Sequence, residues 1–223
     1  MSRATTPGGS RRLACTWATR SARWSKRRCF PGPTDAVARM ADFRKVRTVF
    51  LDRDGTINVK AADGEYVTAP EELVLLPGAA KAVAALNAAG LRTVLVTNQR
   101  WLSEPAADAA GFTAVQDRLE RLLADEGARL DAVYHCPHAA ASCDCRKPGA
   151  GMLVRAAREL GFALAESVMI GDSESDMLAG RAAGTATVLL RAGGAEADGA
   201  DAVADDLAAA VRLILSGRES GLA

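Results

Sequence analysis

Short apolar runs alternate with longer stretches of helical period along most of this chain. Val46–Val49 running into Phe50-Leu51, Leu91–Val96, Asp131–His135, Ser167–Ile170 and Ala186–Leu190 are each four to six residues long. Runs of that length, rich in Val, Leu and Ile, read as buried strands. Between them Ala79–Ala89 is opened by Pro77-Gly78 and closed by Gly90, and Phe112–Glu126 carries Val115, Leu119, Leu122 and Leu123 on one face. Both patterns predict helices. Further helices are predicted over Gly151–Leu160, Ser175–Ala183 and, closing the chain, Ala202–Leu215. Strands alternating with helices specify an α/β fold: a doubly wound, Rossmann-like parallel sheet covered on both faces. Two long connections remain. Val59–Pro77 is polar around Asp63-Gly64-Glu65-Tyr66 and long enough to act as a flap, and Asn98–Gly111 is a loop.

Composition narrows the class. With 223 residues, 49% hydrophobic and 25% charged, the chain can bury one sizeable core. No apolar run approaches the length of a membrane span, so no membrane partner is expected. The net charge of +1 conceals a segregation: residues 1–39 hold nine basic residues and one acid, Asp35, which leaves −7 for the rest. A mildly acidic body makes a poor partner for nucleic acid. The segment from Met1 to about Pro33 lacks apolar periodicity and is expected to be a disordered basic extension. Cys15 and Cys29 fall in that extension, whereas Cys136, Cys143 and Cys145 lie within ten residues of one another. So tight a cluster, without a secretion signal, points to metal rather than disulfides. Cys136-Pro137-His138 and Cys143-Asp144-Cys145 together offer three thiolates and an imidazole, the donor set of a closed, structural zinc site. A set of buried free cysteines is the alternative. His135 reads as a strand-end residue rather than a ligand.

Chemistry is concentrated where the strands end. Asp52 and Asp54 follow the first strand, and Gly55 lets the chain turn sharply. Alone, Asp-x-Asp would be a polar turn with two solvated acids. Here Val96-Thr97-Asn98-Gln99, Arg146-Lys147-Pro148 and Gly171-Asp172-Ser173-Glu174-Ser175-Asp176 follow in order, each at a predicted strand end or helix start. With Asp52-Arg53-Asp54-Gly55-Thr56, they resemble the four motifs of the haloacid dehalogenase superfamily of aspartate-nucleophile phosphatases, over about Val46 to Leu190.

The resemblance implies roles. Asp52 is the nucleophile that forms an aspartyl-phosphate, and Asp54 the general acid and base. Asp52, the backbone carbonyl of Asp54 and Asp172 hold Mg²⁺. Thr97 binds the phosphoryl oxygens, Lys147 offsets the charge of the transition state, and Asp176 orients Lys147 or a metal-bound water. Arg53, Tyr66, Asn98, Gln99, Arg100 and Arg146 are the candidate substrate contacts. The intervals where this superfamily inserts a large cap are already occupied, so a capless, open site is expected. Members of the family begin a few residues before the first motif. Met40 is therefore the preferred start, with residues 1–39 as untranslated upstream sequence; a transit peptide is the other reading of that segment. A cytoplasmic, monomeric enzyme is expected.

The cysteine loop resembles the branch whose members act on heptose bisphosphates and on histidinol phosphate. The short step from His138 to Cys143 is nearer the histidinol type, and Arg100-Trp101-Leu102-Ser103 replaces the small Gly-containing loop usual in the branch. A bisphosphate carries a second dianion that calls for guanidinium groups, and Arg53, Arg100 and Arg146 adjoin site residues. Heptose 1,7-bisphosphate, cut at the 7-phosphate, is therefore expected ahead of histidinol phosphate. A nucleic-acid end-processing protein, resting on the basic extension with Trp17 and Trp24, is the reading from another class.

Overall fold

The computed structural model describes residues 42–62, 64–105, 107, 109–139, 142–193 and 199–219. The basic extension, and with it Met40 and the support for a nucleic-acid reading, lies outside the described residues.

Six parallel strands form one sheet: β1 (Thr48–Leu51), β2 (Arg92–Asn98), β3 (Ala132–Cys136), β4 (Ser167–Gly171), β5 (Ala186–Leu190) and β6 (Ala202–Ala204). Their order is β3-β2-β1-β4-β5-β6, so the winding reverses between β1 and β4. The helices are α1 (Ala79–Ala88), α2 (Ala109–Ala124), α3 (Gly151–Leu160), α4 (Glu174–Ala183) and α5 (Leu207–Glu219). Side chains of successive strand residues point to opposite faces, and the core is divided accordingly. Val49, Leu51, Leu95, Val168 and Ile170 pack with Val83 and Leu86 of α1, Val115 and Leu119 of α2, and Val211 and Ile214 of α5. Phe50, Val94, Val96 and Met169 pack on the other side with Met152 and Leu153 of α3 and Ala179 of α4. The doubly wound, Rossmann-like sheet expected from the alternation is present.

Three expectations are corrected in detail. The closing helix does not begin at Ala202. Ala202–Ala204 pairs with β5 as a sixth strand, and the chain turns helical only after Asp205-Asp206, where Asp206 Oδ1 accepts from the Ala209 N–H at 2.7 Å. Three alternating residues are too few to show a period. Helix α2 starts at Ala109, because two alanines extend the turn backwards through Gly111. The segment 59–77 is not wholly a flap. Val67 and Leu73 are buried in the core, and Val59 N–H donates to Val74 O at 2.8 Å, so only its first half overhangs the strand ends. Among the described residues no further domain is inserted after β1 or after β2.

Candidate active site

The functional side chains meet outside the carboxyl ends of β1, β2 and β4, at the point where the strand order reverses, as open α/β sheets place their ligand sites. Asp52 continues β1 by donating its N–H to Ile170 O at 3.0 Å, and its Oδ1 accepts from the Arg53 N–H at 2.7 Å. Gly55 then turns the chain with φ +85°, and a Cβ there would collide with the Asp172 carboxylate. Gly171 makes the same allowance for the side chain of Asp176. Two strand-end glycines thus let acids from β1 and β4 converge: carboxylate oxygens of Asp52, Asp172 and Asp176 lie within 4.8 Å of one another.

Lys147 answers this negative charge from below. Its ammonium, 2% exposed, contacts Asp52 Oδ1 at 2.7 Å and Asp176 Oδ1 at 2.6 Å, and donates to Val96 O at 2.9 Å. Its three hydrogens therefore have three oxygens to meet. Asn98 sets the backbone that carries it, donating to Lys147 O at 3.0 Å and accepting from the Lys147 N–H at 3.1 Å. Asp176 is held in turn by the Ser173 N–H at 3.1 Å and the Ser173 hydroxyl at 2.6 Å, a capping box at the start of α4. Burial opposes the charge on Lys147, but Asp176 and Asp52 outweigh it and hold its pKa above the ordinary lysine value. Burial pushes Asp52 up to about 7; Lys147 pulls the other way and Asp176 adds repulsion. A divalent cation among the three oxygens would reverse that penalty, and an all-carboxylate donor set suits a hard cation.

Asp54 is engaged from behind. Its Oδ1 accepts from Arg53 Nη2 at 3.1 Å and from Asn58 Nδ2 at 2.9 Å, and its Oδ2 from Gln99 Nε2 at 2.9 Å. Arg53 and Gln99 are both fully buried and do not line the cleft; each donates to Asp54. Gln99 also donates to Thr97 Oγ1 at 2.9 Å and accepts from the Trp101 indole at 2.8 Å, so the turn after β2 supports Asp54 too. Arg100, in a short 3₁₀ helix over Arg100–Ser103, is exposed and away from the cleft lining. The sequence reading missed Asn58 in this role, although it lies four residues after Asp54 on the same turn.

The cleft itself has a volume of about 230 Å³. Asp52, Asp54, Thr97, Asn98, Arg146, Lys147 and Asp172 line it, with Tyr66 from the flap. Lys60 lines it as well and was not singled out from the sequence; its Nζ stands 3.2 Å from Asp172 Oδ2. The fields of Asp172, Asp52 and Asp176 hold its pKa above the ordinary value against some burial.

The cysteine loop follows β3. Cys136, His138, Cys143 and Cys145 converge, with Sγ–Sγ distances of 3.1, 3.2 and 3.5 Å and His138 Nδ1 at 3.2 and 3.6 Å from two of the sulfurs. Zinc–sulfur bonds of about 2.3 Å place tetrahedral ligands about 3.7 Å apart, close to this spacing. Burial and the neighbouring thiols push Cys145 up to about 12; at Cys143, hydrogen bonds from Cys145 and Arg146 outweigh burial and bring it to about 7. Crowded thiols of this kind ionise together only around a cation. His135 stands apart, its ring 4.5 Å from that of Phe112.

Residues 16–184 match the model of the haloacid dehalogenase-like hydrolases. A D-glycero-beta-D-manno-heptose-1,7-bisphosphate 7-phosphatase of Vibrio cholerae is 40% identical over 154 residues, which span 65% of this chain and 81% of the relative. The crystal structure of D,D-heptose 1,7-bisphosphate phosphatase from B. bronchiseptica, complexed with magnesium and phosphate, superposes with a TM-score of 0.70 at 36% identity, covering 77% of this chain and 99% of that one. The corresponding enzyme from Burkholderia thailandensis gives a TM-score of 0.58 at 32% identity over 76% and 99% of the two chains.

Proposed function

Since the chain belongs to the haloacid dehalogenase-like hydrolases, we propose that it is a Mg²⁺-dependent phosphatase that removes the 7-phosphate of D-glycero-D-manno-heptose 1,7-bisphosphate. The observation that carries the chemistry is the buried Lys147 ammonium bridging Asp52 and Asp176 beneath an open cleft. A carboxylate facing a phosphate needs its charge offset before it can attack, and the cleft supplies that from one side. The substrate assignment draws on the activities of the relatives.

Asp52 attacks phosphorus through a carboxylate oxygen as the bond from phosphorus to the sugar oxygen breaks, giving an aspartyl-phosphate. Asp54 delivers a proton to the departing oxygen; Arg53, Asn58 and Gln99 stabilise the anion that remains. Asp54 then takes a proton from water, which attacks phosphorus and frees Asp52 and inorganic phosphate. Thr97 and Asn98 border the phosphoryl group, and Lys147 offsets its growing charge. Asp52, Asp172 and the Asp54 carbonyl are the groups that would hold Mg²⁺, which supplies charge neutralisation for the incoming anion. Zinc in the cysteine loop is assigned a structural role, since four protein ligands leave no open position. The second phosphate falls to cations at the cleft mouth. Of the three arginines named from the sequence, Arg146 lines the cleft, whereas Arg53 and Arg100 do not.

Histidinol phosphate is the competing substrate, favoured by the short step from His138 to Cys143. Comparing kcat/KM for the two decides the matter. At least about a tenfold advantage, worth about 1.4 kcal/mol of transition-state binding, is expected for the bisphosphate. The same advantage for histidinol phosphate would reverse the assignment.

A further inference from the structure

Lys60 sits in the first half of the flap and is 55% exposed, yet its ammonium reaches 3.2 Å from Asp172 Oδ2. An exposed lysine paired with an acid is ordinary on a protein surface. This acid, however, is one of three whose oxygens crowd within 4.8 Å, against a single buried ammonium. Lys60 is the second cation of that group, and it enters from the solvent side, where a metal ion and a phosphate must also enter. A divalent cation bound by Asp172 competes with Lys60 for the same carboxylate. Once the acid is taken, the displaced ammonium is left in the same cleft as Asp52, Asp54 and Thr97.

We propose that Lys60 is an exchangeable cation of the active site: it occupies Asp172 in the metal-free protein and binds a phosphoryl oxygen once a divalent metal has taken that acid. The proposal rests on the phosphatase reading for its biological meaning, but its physical content concerns only metal and anion binding. It makes the flap a reader of the phosphate rather than a passive cover. Lys60 is anchored for this by its neighbours: the Val59 N–H donates to Val74 O at 2.8 Å, and Asn58 Nδ2 donates to Val59 O at 2.8 Å. The backbone at the base of the side chain is therefore held while the side chain itself is free to exchange partners.

The test uses the full chain as wild type, Lys60→Met and Lys60→Arg, in two calorimetric titrations that involve no turnover. Mg²⁺ is titrated into the phosphate-free protein, and inorganic phosphate into the protein at saturating Mg²⁺. Loss of an exposed ion pair corresponds to about a two- to fivefold change in binding. Lys60→Met is expected to bind Mg²⁺ about two- to fivefold more tightly, because a competitor is gone, and phosphate about fivefold or more weakly, because a charge-assisted bond is gone. Lys60→Arg keeps both constants near wild type. The opposite signs are diagnostic. Constants that stay unchanged, or that weaken together as damage to the site would make them, overturn the proposal. Opposed shifts in a protein that hydrolyses no phosphate ester would uphold the role of Lys60 while sinking the proposed function. An active enzyme whose binding constants do not move would sink the role of Lys60 alone.

Discussion

Substitution of Asp52 by Asn preserves the shape of the side chain, and the amide oxygen can still accept from Lys147, but the nucleophilic charge is gone. Asp52→Asn is expected to lower phosphate release by about 10³-fold or more while leaving the melting temperature within a few degrees. Substantial turnover by this variant would remove Asp52 from the mechanism. Gly55 is constrained twice, by φ +85° and by the Asp172 carboxylate lying where a Cβ would stand. Gly55→Ala should therefore cost about 1–2 kcal/mol in backbone strain alone and displace an acid of the proposed metal site. Reduced stability in a denaturant titration, together with weakened Mg²⁺ dependence, is the expected pair of results. A variant with wild-type metal dependence would show that Asp172 can relax without consequence. The individual acids were legible because each falls at a fixed offset from a strand end. The partners of Asp54 were not, because Arg53 turns inward and the sequence does not say which way a strand-end side chain points.

The cysteine loop acts as an element in its own right. It leads from Cys145 directly into Arg146-Lys147, and the Asn98 amide grips Lys147 from the other side. Lys147 is thus suspended between the end of β2 and the cysteine–histidine cluster. About one equivalent of zinc should copurify, held by an apparent binding energy of about 10 kcal/mol or more. Cys136→Ser is expected to release the zinc, lower the melting temperature and cut kcat by about tenfold or more through Lys147, as loss of a supporting interaction at a metal site commonly does. Metal analysis finding no zinc in the wild-type protein, or full kcat in the zinc-free variant, would contradict this account. The cluster was readable from spacing alone, since its four donors fall within a few residues of one another. The sixth strand was not: three residues become a strand only by adding to the edge of β5.

At the scale of the molecule the site is a joint between the two halves of the sheet. Asp52 comes from β1 and Asp172 from β4, the pair of strands where the winding reverses, and Lys147 reaches both halves through Asp52 and Asp176. A ligand that binds the native acids stabilises the fold through mass action. Mg²⁺ at a hundredfold excess over its dissociation constant should add about 2.7 kcal/mol, read as a rise in melting temperature that chelation reverses. Asp172→Ala should abolish most of that rise. A melting temperature indifferent to Mg²⁺ would argue that Asp52 and Asp172 do not form a metal site.

The alternation of the first five strands with helices, the acids at the strand ends and the cysteine–histidine cluster were all determined by the sequence, because each is local: periodicity, turn chemistry and ligand spacing act over a few residues. Only the tertiary structure decided which charges face the cleft. Of the cations near the motifs, Arg53 is buried against Asp54, Arg100 lies outside, and Lys60, unremarkable in its own stretch of chain, reaches an acid 112 positions away. Direction is set by contacts between elements distant in sequence: Lys60 against Asp172 after β4, Gln99 after β2 behind Asp54, and Lys147 against Asp52. Those contacts exist only once the sheet has brought β1, β2 and β4 side by side.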